Sequence, residues 1–179
     1  MGATETTRAF KVAVILALES SGLGYDTRYR FYQRRFPDMD PEALARRVCD
    51  PVEYHDRDWK SVLAGRGPGR GREPGRDEEE VLAEFVTERD ALFRHEAKAA
   101  IYCYDEAGFG SGVNSMRFLR DGKPILGFYG PESRRSGMNL TNVIQLGVEH
   151  PDRVTLVEYR SIDEVPPKVI AWLRGLRGG

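Results

Sequence analysis

The chain has 179 residues, 40% hydrophobic and 31% charged, with 27 Lys and Arg against 28 Asp and Glu. That length suits one domain with its own core and is short for two, so residues 1–179 are expected to form a single domain. The composition excludes wholesale disorder, and the balanced charge excludes a strongly polycationic nucleic-acid binder. No apolar run approaches the ~20 residues that span a bilayer, and Val12 to Leu18 is too short and too poorly flanked for a secretory signal. The expectation is a soluble, cytoplasmic protein with no membrane partner.

In chain order, Phe10 to Leu18 (FKVAVILAL) is a nearly continuous apolar run, which predicts a central parallel strand covered on both faces. The polar turn Glu19 to Gly24 follows it, then Thr27 to Arg35 predicts an aromatic-rich helix stopped by Pro37. Asp40-Pro41, a capping residue followed by proline, opens a helix to about Val48. From Leu63 to Arg76, five glycines alternate with four arginines around Pro68 and Pro74, which predicts a mobile loop. Its positive charge is offset at once by Asp77 to Glu80, so a solvated loop is favoured over a nucleic-acid contact, with a lid over a site as a third reading.

Asp77 then starts a long helix to about Ala97, with Val81, Leu82, Phe85, Leu92 and Phe93 as its buried stripe and Asp77 with Glu80 as a capping-box-like start. Ala99 to Tyr104 is a strand, followed by a Gly-rich loop and a helix from about Val113 to Arg120. The turn Asp121-Gly122 leads to a strand over Pro124 to Tyr129, and Val154 to Tyr159 gives a last strand. A terminal helix over Ile162 to Leu176 is kinked or delayed by Pro166-Pro167, with Val169, Ile170, Trp172 and Leu173 inward. Strands alternating with helices predict an α/β fold, a mostly parallel flavodoxin-like sheet of about five strands with helices on both faces. Ligands of such sheets sit beyond the carboxyl ends of the strands.

Cys49 and Cys103 form no CxxC pair, and His55, His95 and His150 are scattered, so no disulfide framework or metal site is encoded and no cofactor is expected. Cys103 reads as a small buried side chain and Glu53 to Trp59, with His55, as a polar surface patch. The informative segment is Tyr104 to Asn114 (YDEAGFGSGVN), where glycines let a backbone approach a ligand and free N–H groups at a helix start face an anion or a sugar hydroxyl. A plain tight turn would need the same glycines.

Taken together, Thr87-Glu88-Arg89-Asp90, then AAIYCY, then DEAGFGSGVN, then Gly122-Lys123-Pro124-Ile125-Leu126-Gly127-Phe128 occur in an order and spacing that resemble the nucleoside 2-deoxyribosyltransferase family and its nucleotide N-hydrolase branch. Gly137 to Asn142, with Asn139, resembles that family's Asn-Leu loop, and Pro131 to Ser136 its polar stretch near a 5′-phosphate. The resemblance covers about a third of the chain. It implies a small-molecule nucleoside or nucleoside 5′-monophosphate as ligand, N-glycosidic cleavage or deoxyribosyl transfer as chemistry, and a homo-oligomer.

Residue by residue, the resemblance implies that Asp90 supports base departure, Asp105 or Glu106 stabilises oxocarbenium character, and Gly110, Ser111 and Gly112 hold the sugar. Ser111, Arg134, Arg135 and Ser136 would meet a phosphate, and Ser20, Gly22 and Tyr25 would shape the base pocket. Asn114 stands where the family carries its nucleophilic Glu, and an amide cannot form a glycosyl-carboxylate intermediate. Either Asp105 or Glu106 replaces it, or the domain binds nucleotide without cleaving it, as a sensor or regulatory module. For Asp90 the competing reading is a solvated pair with Arg94 one turn on, and for Tyr25 a core or interface aromatic.

Overall fold

The computed structural model describes residues 5–50, 78–105, 109–130 and 137–178. The chain opens with three helices, α1 (Glu5–Ser21), α2 (Thr27–Gln33) and α3 (Pro41–Cys49). After α4 (Glu78–Glu96) come β1 (Ala100–Cys103), α5 (Phe109–Arg120), β2 (Ile125–Tyr129), α6 (Gly137–Glu149) and β3 (Val154–Glu158). A 3₁₀ turn (Ile162–Glu164) leads into α7 (Val165–Gly178). The class is α/β. Among the described residues the sheet has three strands, all parallel, in the order β1-β2-β3, rather than about five.

The largest departure is Phe10 to Leu18, which is helical and lies inside α1. Phe10, Val14 and Leu18 pack against Leu126 and Phe128 of β2 and Val165 and Val169 of α7. Val12 and Ile15, on another side of the same helix, pack against Tyr29 and Tyr32 of α2 and Leu44 and Val48 of α3. A helix buried on two sides is apolar nearly all round, and over nine residues its pattern matches that of a strand covered on both faces.

Alternation along the strands sets the two faces of the sheet. Ile101, Cys103, Phe128 and Val157 belong to the α1–α7 layer. Tyr102, Leu156 and Ile125 face the other way, packed with Phe118 and Leu119 of α5 and Leu146 of α6. Registry places Tyr102 beside Gly127 and Gly127 beside Leu156. Gly127 has a steric reason for its identity, since a Cβ there would clash with the Tyr104 ring and lie 2.9 Å from Leu156 Cδ2.

Local signals explain the helix ends. Asp40 accepts a hydrogen bond from the Ala43 N–H at 2.9 Å with Pro41 in the first turn, and Asp26 caps α2 through the Tyr29 N–H at 2.8 Å. The ammonium of Lys123 donates to the Arg94 and His95 carbonyls at the end of α4, at 2.5 and 3.1 Å, where the helix dipole favours a cation. Gly122 ends α5 with φ +71°, the left-handed conformation the Asp121-Gly122 turn requires. Pro166 and Pro167 sit in the first turn of α7, where a missing N–H costs little, so they start the helix after the 3₁₀ turn and do not kink it.

Other expectations are corrected in detail. The helix after β1 begins at Phe109, so Gly110 and Gly112 are helical residues, and Gly137 to Asn142 is the start of α6 rather than a loop. Leu92 is exposed, while Phe93 packs edge-on to Phe31. The Leu63 to Arg76 loop, the Asp77 cap and His55 lie outside the described residues. No helix among the described residues is long and apolar enough to cross a membrane.

The Gly127 contact gives a direct test. Gly127→Ala is expected to destabilise the fold by about 2 kcal/mol through overpacking, lowering the thermal midpoint by roughly 4–8 °C for a chain of this size. Thermal unfolding followed by circular dichroism measures it, with Gly175→Ala in α7, whose added Cβ meets nothing within 4 Å, as a control expected to hold or raise the midpoint.

Candidate functional site at the carboxyl edge of the sheet

The carboxyl ends of β1, β2 and β3 are joined by one side chain. Asp105, two residues after β1, is buried, and its Oδ1 accepts the Gly130 N–H at 2.6 Å while its Oδ2 accepts the Tyr159 hydroxyl at 2.5 Å. Gly130 follows β2 and Tyr159 follows β3, so a single carboxylate ties three strand ends together. Hydrogen bonds to both oxygens offset the cost of burying this polar group. Gly130 is bare for a reason: a Cβ would stand 2.9 Å from the Tyr159 ring and 3.1 Å from Asp105 Oδ2. Burial pushes the Tyr159 phenol well above its ordinary range, and its hydrogen bond to Asp105 pushes it further the same way.

A second polar cluster lies on the α5 side. Tyr102 and Tyr104 alternate onto one face of β1 and stack at 5.5 Å between centroids. The Tyr104 hydroxyl meets Ser115 Oγ at 3.0 Å, and Ser115 in turn donates to the Ser111 carbonyl at 2.9 Å. This chain links the strand to the first turn of α5. Burial raises both phenols; the Tyr104 phenol adds to the rise of Tyr102, and the interaction with Ser115 opposes it in each.

The residues expected to do chemistry are placed as follows. Asp90, on α4, is held by its neighbour Arg89, whose guanidinium donates to Oδ1 at 2.9 and 3.2 Å. Arg94 instead pairs with Asp121 at 3.3 Å, so the Asp90–Arg94 pair of the competing reading does not form. Asp90 lies within electrostatic reach of Tyr102, while Asp105 is bound to Tyr159 on the opposite face. Asn114 accepts from Arg117 one turn on, at 3.4 Å. The structure therefore gives Asp90, Asp105 and Asn114 three different local partners. Glu106, Arg134, Arg135 and Ser136 lie outside the described residues, as does the side chain of Asn139 in the first turn of α6.

Ser20, Gly22 and Tyr25 are elsewhere. Because α1 is a helix, its Phe10 end lies beside Tyr159 at the carboxyl edge, while the Leu23 carbonyl accepts from Arg177 in the last turn of α7. α7 starts just after β3 and is about 21 Å long at 1.5 Å per residue, so Leu23 and its neighbours sit at the amino end of the strands. Ser20 and Ser21 there bond back to the Ala17 and Leu18 carbonyls, and exposed Tyr25 carries the Arg30 guanidinium at 5.3 Å. Tyr29 and Tyr32 are core residues.

Among the described residues, what remains at the edge is the start of α5. Gly110 and Gly112 are exposed, and a Cβ at either would meet nothing within 4 Å. The first N–H groups of a helix have no intrahelical acceptor. The arrangement can take an oxyanion or hydroxyl close to the backbone. Tyr159, Gly130 and Ser115 were missed in the sequence, although tyrosines ending successive strands, Tyr104, Tyr129 and Tyr159, were a signal for a polar cluster at that edge. Among the described residues no group of three or more His, Cys, Asp or Glu side chains is placed to hold a metal.

Two outcomes test the clasp. Tyr159→Phe removes one donor from a buried carboxylate and is expected to cost about 2 kcal/mol in denaturant unfolding. Tyr29, Tyr102, Tyr104 and Tyr159 all have phenols raised above the ordinary value. A raised phenol holds its proton longer folded than unfolded, so its stabilisation is complete below about pH 10 and falls as pH rises beyond it. Absorbance titration is expected to show these phenols ionising only with unfolding, and Tyr159→Phe to flatten the alkaline loss of stability. In comparisons with known proteins, no family model, no curated protein and no solved structure matches this chain.

Proposed function

We propose that this chain binds a nucleoside or nucleoside 5′-monophosphate at the carboxyl edge of its parallel strands and holds it without cleaving it. The observation that carries the reading is the open first turn of α5, where Gly110 and Gly112 leave backbone N–H groups approachable directly beyond β1. The parallel topology supports it, because ligands of open α/β sheets collect at that edge. The commitments of the carboxylates support the absence of chemistry: both oxygens of Asp105 are engaged, and an amide stands at position 114. In this reading Ser111 orients a phosphate or sugar oxygen, and the functional state is a homo-oligomer.

Cleavage of the N-glycosidic bond, by hydrolysis or deoxyribosyl transfer, is a second reading favoured by one observation. The Asp90 side chain keeps 36% of its exposure, so its second oxygen is open to a departing base. The test uses a panel of nucleosides and nucleoside 5′-monophosphates, read by calorimetric titration and by chromatography of free base. Binding without base release is the expected result; base release supports the second reading, and no heat from any member overturns both. Gly112→Val places a side chain in open space and is expected to weaken binding at least about tenfold, the equivalent of ~1.4 kcal/mol, with the thermal midpoint nearly unchanged.

A further inference from the structure

The chain balances 27 basic against 28 acidic residues, yet one end of the fold is not balanced. Residues 23–35 hold four arginines and a single acid, Asp26, and α7 holds Lys168, Arg174 and Arg177 and no acid. These two segments meet in space: the Arg177 guanidinium donates to the Leu23 carbonyl at 2.5 Å, at the amino end of the strands. The turn after α1, the outer side of α2 and the end of α7 therefore form one basic surface. Its carboxylates are spent, because Asp26 gives Oδ1 to the cap of α2 and Glu19, near the end of α1, pairs with Arg30 at 3.2 Å.

The remaining cations there are uncommitted. Arg34 and Arg35, just after α2, and Arg174 on α7 are exposed, and among the described residues no carboxylate pairs with them. Arg46 and Arg94, by contrast, have Glu42 and Asp121. The Arg35 guanidinium lies over the Phe31 ring at 5.1 Å, which uses its flat face and leaves the N–H fork along its edge for an oxyanion. Tyr25 is 53% exposed, and its ring carries the Arg30 guanidinium, itself fixed by Glu19 and by Gln33 at 2.9 Å. In the chain it stands between Leu23, which meets Arg177, and Arg30, one turn before Arg34. A ring backed by a fixed cation and more than half exposed is a platform on which a planar group can stack.

We infer that this surface binds single-stranded nucleic acid without reading its sequence: Arg34, Arg35 and Arg174 meet phosphates, and an unpaired base stacks on Tyr25. Uncommitted guanidinium groups around an open aromatic ring match a strand that alternates phosphates with unstacked bases. A duplex hides its base faces, and an acidic peptide carries no such series of planar groups. A bilayer would call for more apolar area than the exposed Tyr25 and Leu176 supply here. The surface lies at the opposite end of the sheet from the start of α5 and does not rest on the nucleotide reading.

The test titrates the full chain into a fluorescently labelled oligouridylate of roughly 12 nucleotides, within the site size of such surfaces, and follows anisotropy. Binding is expected, with affinity falling as salt rises at a log–log slope of about −2, as three phosphate contacts at about −0.7 each require. Joint Arg34→Glu and Arg35→Glu substitution is expected to weaken binding at least about tenfold and to flatten that slope. Tyr25→Ala is expected to weaken binding about tenfold with the slope unchanged, while Tyr25→Trp retains it. These side chains are exposed, and each variant is checked for its fold by circular dichroism. An oligothymidylate is expected to bind equally, since phosphates and base faces are common to both strands. No binding at low salt, binding that the Arg and Tyr25→Ala variants leave intact, or tighter binding of a duplex, an acidic peptide or anionic vesicles overturns the inference.

Discussion

A buried carboxylate organises the carboxyl edge of the sheet. Asp105 accepts a backbone N–H after β2 on one oxygen and a phenol after β3 on the other, so the strand ends are tied by hydrogen bonds to one side chain. The geometry demands its partners. Gly130 must lack a side chain to let the Tyr159 ring and the carboxylate approach together. Phe10 and Phe128 close the apolar side of the same cluster, with Phe10 at 5.3 Å from Phe128 and 5.8 Å from Tyr159. The clasp thus connects the first helix, every described strand and the departure points of the edge segments.

The same commitment shapes what the edge can do. A carboxylate with both oxygens engaged has a structural role, and among the described residues the start of α5 is an exposed stretch of backbone that follows β1. The Tyr104–Ser115–Ser111 chain holds that turn against the strand, so the N–H groups there are presented by a fixed frame. Under the proposed binding role, such rigidity would leave little ordering to be done when a ligand arrives.

Much of the architecture was legible because it rests on local signals. Asp40-Pro41 and Gly122 act through their own backbone, and the three short apolar runs ending in tyrosine are strands as their lengths suggest. Phe10 to Leu18 was illegible because its pattern records two partners, one on each side, that are distant in sequence. That one misreading carried Ser20, Gly22 and Tyr25 to the wrong end of the sheet. The roles of Asp90 and Asp105 were hidden for a related reason: Arg89, Gly130 and Tyr159 become partners through tertiary geometry, and spacing along the chain carries no trace of it.

The double burial of α1 also bears on biosynthesis. Its α2–α3 side finds cover within the first fifty residues, whereas its other side waits for Phe128, Val165 and Val169, which leave the ribosome much later. In that interval the nascent helix presents Phe10, Val14 and Leu18 to solvent, a short apolar ridge of the kind that holdase chaperones shield and that drives aggregation when synthesis stalls.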